Sequence, residues 1–233
     1  IINNIPLCFA NVVRQGNIGI VAASGTGTQE VTSLIDRLGG GVSQVLGTGG
    51  RDLKAEVGGI MMMDGLKALE QDPATEVIVV ISKPPAPVVA DTILGVLKNI
   101  NKPKVVHFLG GDPQSALKAN AFAGRNLEDT ARKAALANKE QLPEDCLPVV
   151  EDRSVVLQEQ TKMAAGQRYV RALYTGGTLC DEAMLVMRED IGDIYSNIAF
   201  EPRLALTDAG KSTKHTAIDL GDDKFTVGRP HPM

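Results

Sequence analysis

Ile18-Gly19-Ile20-Val21-Ala22-Ala23-Ser24-Gly25-Thr26-Gly27 is a short apolar run that breaks into a Ser/Gly/Thr turn. It is apolar almost throughout rather than at alternate positions, which is how a strand buried on both faces reads. An amphipathic stretch follows to Leu38. The same unit then recurs. Residues 42–46 form a second strand before Gly47-Thr48-Gly49-Gly50, and residues 57–70 form a helix with its apolar stripe on Ile60, Met63, Leu66 and Leu69. Residues 76–81 and 104–109 are further strands, with a helix at 87–99 between them. A last short strand at 119–122 and a closing helix at 127–138 complete the series.

Strand–helix alternation at this spacing implies right-handed βαβ crossovers and a parallel sheet covered on both faces. The predicted fold class is α/β, a flavodoxin-like doubly wound sheet. In such sheets ligands bind beyond the carboxyl ends of the strands. The loops at 24–27, 47–52, 82–87 and 110–113 are therefore the ones that matter.

Pro143 and Pro148 stand among acids and predict a linker. The expected organisation is a lead-in at 1–16, a first domain at 17–140, a linker at 141–152 and the start of a second α/β domain at 153–233. In that second part a strand at 169–174 runs into Thr175-Gly176-Gly177-Thr178 and a helix from about 179 to 187. Residues 189–212 read as loop-rich, and residues 216–220 as a strand before Gly221-Asp222-Asp223. Gly176-Gly177-Thr178 echoes Ser24-Gly25-Thr26-Gly27, each between a strand and a helix. The chain has no initiator Met and breaks off at Arg229-Pro230-His231-Pro232-Met233, so it reads as an internal piece of a longer protein.

Composition narrows the function. Aromatics are 3% of the 233 residues and Trp is absent, which leaves no stacking platform for single-stranded nucleic acid. A net charge of −4 argues against a polyanion partner but allows a local site for one small anion. Three cysteines, Cys8, Cys146 and Cys180, make neither a disulfide framework nor a zinc pattern. A reducing cytoplasm is the expected compartment, with no membrane span and no metal site.

A strand entering a Gly/Thr turn and a helix makes an anion site, because the first amides of the helix lack internal partners and the helix dipole is positive there. Ser24, Gly25, Thr26 and Gly27 are one candidate; a tight turn with an N-cap is the plainer alternative. A single exposed helix end contributes only about 0.3–1 kcal/mol, so the site needs cations. Arg51, with its bidentate fork, and Lys83, just past a strand and before Pro84-Pro85, are the candidates. Each also reads as an ordinary surface charge. Met61-Met62-Met63 reads as core filler, His107 as a core histidine and His215 as a surface one. His231, stiffened by proline on both sides, is a candidate general acid or base.

Residues 16–125 resemble the second domain of the succinyl-CoA synthetase α subunit. The resemblance rests on residues 19–26, Gly47-Thr48-Gly49-Gly50, Leu69-Glu70-Gln71-Asp72-Pro73-Ala74-Thr75-Glu76 and Lys102-Pro103. Residues 173–179, 218–223 and 228–233 look like the related FdrA family. The resemblance implies a CoA-binding Rossmann domain ahead of Ile1, and a phosphate cradle built from two helix starts. This chain keeps the first at Ser24-Gly25-Thr26, and Gly176-Gly177-Thr178 is the candidate for the second. The family's phosphoryl-carrying histidine aligns with Phe122 and its orienting glutamate with Lys83, so no phosphohistidine relay is expected. The FdrA likeness implies an acyl- or carbamoyl-transfer subunit that binds phosphate or carbamoyl phosphate, as in oxamate carbamoyltransferase of allantoin breakdown. One alternative is an acid–thiol ligase subunit using CoA and ATP with Mg; the other is a non-catalytic assembly subunit. The partners implied are a small anionic substrate and further subunits or a second copy.

Overall fold

The computed structural model describes residues 1–7, 10–138 and 153–230. The chain divides into two compact units, residues 1–143 and 144–233. The expected linker at 141–152 lies outside the described residues.

The first unit runs β1 (Gln15–Ala23), α1 (Gly25–Arg37), β2 (Val42–Gly47), a 3-10 turn (Gly50–Leu53), α2 (Ile60–Gln71), β3 (Val77–Ser82), α3 (Pro87–Lys98), β4 (Lys104–Phe108), α4 (Pro113–Lys118), β5 (Phe122–Ala123) and α5 (Leu127–Ala137). The five strands are all parallel, in the order β2-β1-β3-β4-β5. This is flavodoxin-like winding, with the strand order reversing between β1 and β3.

All six residues of β3 are buried, as is β1 from Ile18 onward. Burial on both faces explains their unbroken apolar runs. Helices α2 and α3 cover one face with Met62, Leu66, Leu69, Ile93 and Leu97. Each such side chain removed from water contributes about 1.5–3 kcal/mol. Helix α2 begins three residues later than its pattern predicts. Gly58 and Gly59 take φ of 79° and 75°, a left-handed region that no α-helix enters. The buried stripe is accordingly Met62, Gly65, Leu66 and Leu69, while Ile60 and Met61 are exposed. Of the three consecutive methionines, Met62 is the one fully in the core. Gly65 lets α2 sit on β1: a Cβ there would lie 2.7 Å from the Val21 side chain.

At the amino edge of the sheet two lysines close helix ends. Lys102 Nζ donates to the carbonyls of Leu69 (2.8 Å) and Asp72 (2.7 Å) at the end of α2. Lys104 Nζ donates to the carbonyl of Ile100, 2.7 Å away and just past α3. Burial lowers the Lys104 pKa, with Glu70 partly opposing it.

The second unit runs α6 (Arg153–Lys162), β6 (Arg171–Tyr174), α7 (Gly177–Ile191), β7 (Tyr195–Ser196), a 3-10 turn (Pro202–Leu204), β8 (Thr216–Asp219) and α8 (Asp223–Thr226). Its three parallel strands are ordered β6-β8-β7. Cys180 and Met184 of α7 pack on Ile194 and Ala217. Helix α7 starts two residues before the predicted 179 and runs on to Ile191. Gly177 is its first residue, and nothing interrupts it before Gly192 at φ 75°.

Candidate anion-binding site

β1 delivers Ser24 to the carboxyl edge of the first sheet. Ser24 is buried and extended (φ −156°), and its hydroxyl accepts the Gly27 amide at 3.1 Å. The Thr28 hydroxyl donates to the Ser24 carbonyl. The N-cap reading of this turn is therefore correct, and it leaves room for the other reading. The amides of Gly25 and Thr26 meet no acceptor among the described residues. A Cβ on Gly25 would meet nothing within 4 Å.

β3 delivers Lys83. Ala23 and Ser82 are register partners, so Ser24 and Lys83 leave adjacent strands at the same level. They stand where the strand order reverses, which is the place such sheets use for ligands. Lys83 is half-buried, and its carbonyl accepts the Ser82 hydroxyl at 2.7 Å.

β2, on the other side of β1, delivers the third loop. The Thr48 amide donates to the Ala22 carbonyl at 2.8 Å. Gly49 sits at φ 79°, and Gly47, Gly49 and Gly50 all face open space where a side chain would be. Arg51 is exposed and makes no ion pair among the described residues. The fourth loop is structural: Asp112 caps α4 by accepting the Gln114 amide at 3.0 Å.

Two further features had no signal in the local sequence. Asp52, buried beside Arg51, accepts the amides of Met61 (3.0 Å) and Met62 (2.8 Å), nine and ten residues on. In the second unit Asp219 and Asn197 exchange hydrogen bonds at 2.9 and 3.0 Å.

Phe122 occupies β5, the edge strand, with β3 and β4 between it and β1; it is 53% exposed. His107 is a core histidine as expected, its Nδ1 donating to the Gly124 carbonyl at 3.0 Å. His215 is half-buried, and its Nδ1 accepts the Val170 amide at 3.2 Å. Gly176, Gly177 and Thr178 belong to the second unit, where they open α7 at the carboxyl edge of its own sheet. No side chain caps Gly176, and Thr178 is buried. The same edge carries a carboxylate, because Asp219 is the register partner of Tyr174; its Oδ1 accepts the Gly221 amide at 2.8 Å. His231 lies outside the described residues.

Residues 13–110 match the family described as CoA binding domain, and residues 173–232 match the family described as CoA-ligase. The chain is similar to subunits of CoA ligases. It is 48% identical, over its whole length, to uncharacterized protein YahF of Escherichia coli (strain K12), covering 45% of that protein. It is 30% identical to the ADP-forming sulfoacetate-CoA ligase subunit SqwL of Acholeplasma sp, over 64% of this chain and 48% of that one. It is 29% identical to the succinate–CoA ligase [ADP-forming] subunit alpha of Staphylococcus epidermidis (strain ATCC 35984), over 57% of this chain and 42% of that one. The chain thus spans about half the length of the curated relatives it matches. The match to the CoA binding domain falls on the first sheet.

Proposed function

We propose that this chain is part of a CoA-ligase-like subunit whose first sheet holds a phosphate or acyl phosphate at its carboxyl edge. The observation that carries the reading is the placement of Ser24 and Lys83 on adjacent strands at the reversal of strand order. The amides of Gly25 and Thr26 would donate to phosphate oxygens, and Ser24 and Gly27 hold the turn that presents them. Lys83 on one side of β1 and Arg51 on the other would offset the charge that builds on the transferring group. Gly176, Gly177 and Thr178, which open α7 in the second unit, are taken as a phosphate-binding turn of that unit. His231 is carried as a general acid or base. CoA and ATP with Mg enter as co-substrates of the whole assembly, which on this reading includes other subunits or a second copy.

A second reading, carbamoyl transfer from carbamoyl phosphate, is favoured by Phe122 and Lys83. Phenylalanine offers no nucleophile for a covalent phosphoryl carrier, and an ammonium in place of a carboxylate suits a bound anion. Direct transfer needs charge stabilisation and no carrier, so the same residues serve both readings. If neither transfer occurs, the chain acts in assembly alone.

Calorimetric titration with phosphate, acetyl phosphate and carbamoyl phosphate tests the site. Lys83→Ala is expected to weaken binding about tenfold, the loss of one charge-assisted contact. Unchanged binding in that variant would remove Lys83 from the site. A preference for carbamoyl phosphate over acetyl phosphate would select the second reading. Incubation with labelled ATP is expected to leave no acid-labile phosphate on the chain; such a label would overturn the relay-free chemistry.

A further inference from the structure

We propose that Asp52 is a positioning residue that fixes where Arg51 meets the anion, an inference that rests on the phosphate-site reading above. Helix α2 opens at Ile60 after Gly59, a cap position with no side chain, so its first amides need an acceptor from elsewhere. Asp52 supplies it from the 3-10 turn. One carboxylate oxygen takes the Met61 amide at 3.0 Å and the other the Met62 amide at 2.8 Å. The Asp52 carbonyl takes the Gly59 amide at 2.8 Å. The side chain is buried, and its negative charge sits at the positive end of α2. Charge-assisted bonds from both oxygens make this a stiff joint.

Arg51 is the residue next to that joint. Its exposed guanidinium has no ion pair among the described residues, and the backbone of the turn fixes the point from which the side chain reaches out. That backbone is held from the other side as well: the Leu53 carbonyl accepts the Ala86 amide at 3.0 Å, in the loop that begins at Lys83. The Arg51 turn is thus fastened to α2 through Asp52 and to the Lys83 loop through Leu53. A residue that only capped α2 would affect stability; one that aims Arg51 affects phosphate affinity, and only while Arg51 is present.

The test is a double-mutant cycle, read by calorimetric titration of the full chain with inorganic phosphate. Arg51→Ala and Asp52→Asn are each expected to weaken binding about tenfold, and the double variant to bind no more weakly than Arg51→Ala alone. Leu66→Ala, a core change, serves as a control that lowers stability without moving affinity. If Asp52→Asn folds poorly, Asp52→Glu, which keeps the charge but alters the reach, replaces it in the cycle. Independent effects, about hundredfold in the double variant, would overturn the inference, as would a lower melting point with unchanged affinity. If Arg51→Ala weakens binding and Asp52→Asn does not, the inference falls and the site stands. A wild-type chain that binds no phosphate sinks both.

Discussion

Asp129→Asn removes a carboxylate of the first unit that pairs with both Arg125 and Lys133. Asp129 lies in the first turn of α5, where it accepts the Arg125 amide at 2.9 Å and the Lys133 ammonium at 2.7 Å. Burial pushes its carboxyl up, but the Lys133 ammonium, the Arg125 amide and the Arg125 guanidinium outweigh burial and hold it at about 2. The gap from the ordinary 3.8 is worth about 2.4 kcal/mol of preference for the ionised form. Lys133 and Arg125 are partly or largely in solvent, and screening there reduces this to about 1–2 kcal/mol of stability. The folded pKa is depressed, so the contribution is present above the unfolded value near 4 and is lost as pH falls toward 2. About half should be gone by pH 3. Urea unfolding of wild type and Asp129→Asn from pH 7 to pH 3 checks this. The two are expected to differ by about 1–2 kcal/mol at pH 7 and by about half as much at pH 3. A difference that stays constant with pH would show that Asn loses packing or cap geometry rather than charge, and would refute the reasoning.

Three further outcomes are expected. Gly124→Ala places a methyl 2.0 Å from the Thr130 hydroxyl oxygen and 3.3 Å from the His107 side chain. It should cost about 1–3 kcal/mol in urea unfolding, part of it regained in the double variant with Thr130→Ala; no recovery would mean the strain lies elsewhere. Ser24→Ala removes the cap of α1 and should lower stability by about 1 kcal/mol, with weaker phosphate binding in the same titration. Lys102→Met strips two acceptors at the end of α2 of their donor and should cost about 1–3 kcal/mol, seen as a lower thermal midpoint.

The first sheet was legible because its strands are buried on both faces. Residues 18–23 and 77–82 need no periodicity to be recognised, and each is followed by a Gly- or Pro-bearing turn. The short α4 and the exposed α6 were not legible: the first has six residues, and the second buries none of its side chains. The start of α2 was missed because Gly58 and Gly59 gave no hint of positive φ inside an apolar pattern. At the candidate site, Ser24 and Lys83 were readable from their places after strands, and their adjacency followed from the winding. Asp52 was not, since its partners lie nine and ten residues away across an irregular loop, a distance at which no capping motif is defined.

Lys102 and Lys104 give the first unit an electrical asymmetry. Helices α1, α2, α3 and α5 all begin at the carboxyl edge of one parallel sheet, so their partial positive charges gather on one side of the layer. The opposite poles would ordinarily cancel that field at a distance. Here Lys102 bonds carbonyls at the tail of α2 and Lys104 bonds one just past α3, so the two ammonium groups partly offset those negative poles. The positive poles that face the Ser24 side are left to draw anions there. Such a field reaches about 10 Å at 0.1 M salt, so capture of a small anion should slow as ionic strength rises even where the contacts that finally hold it are unchanged.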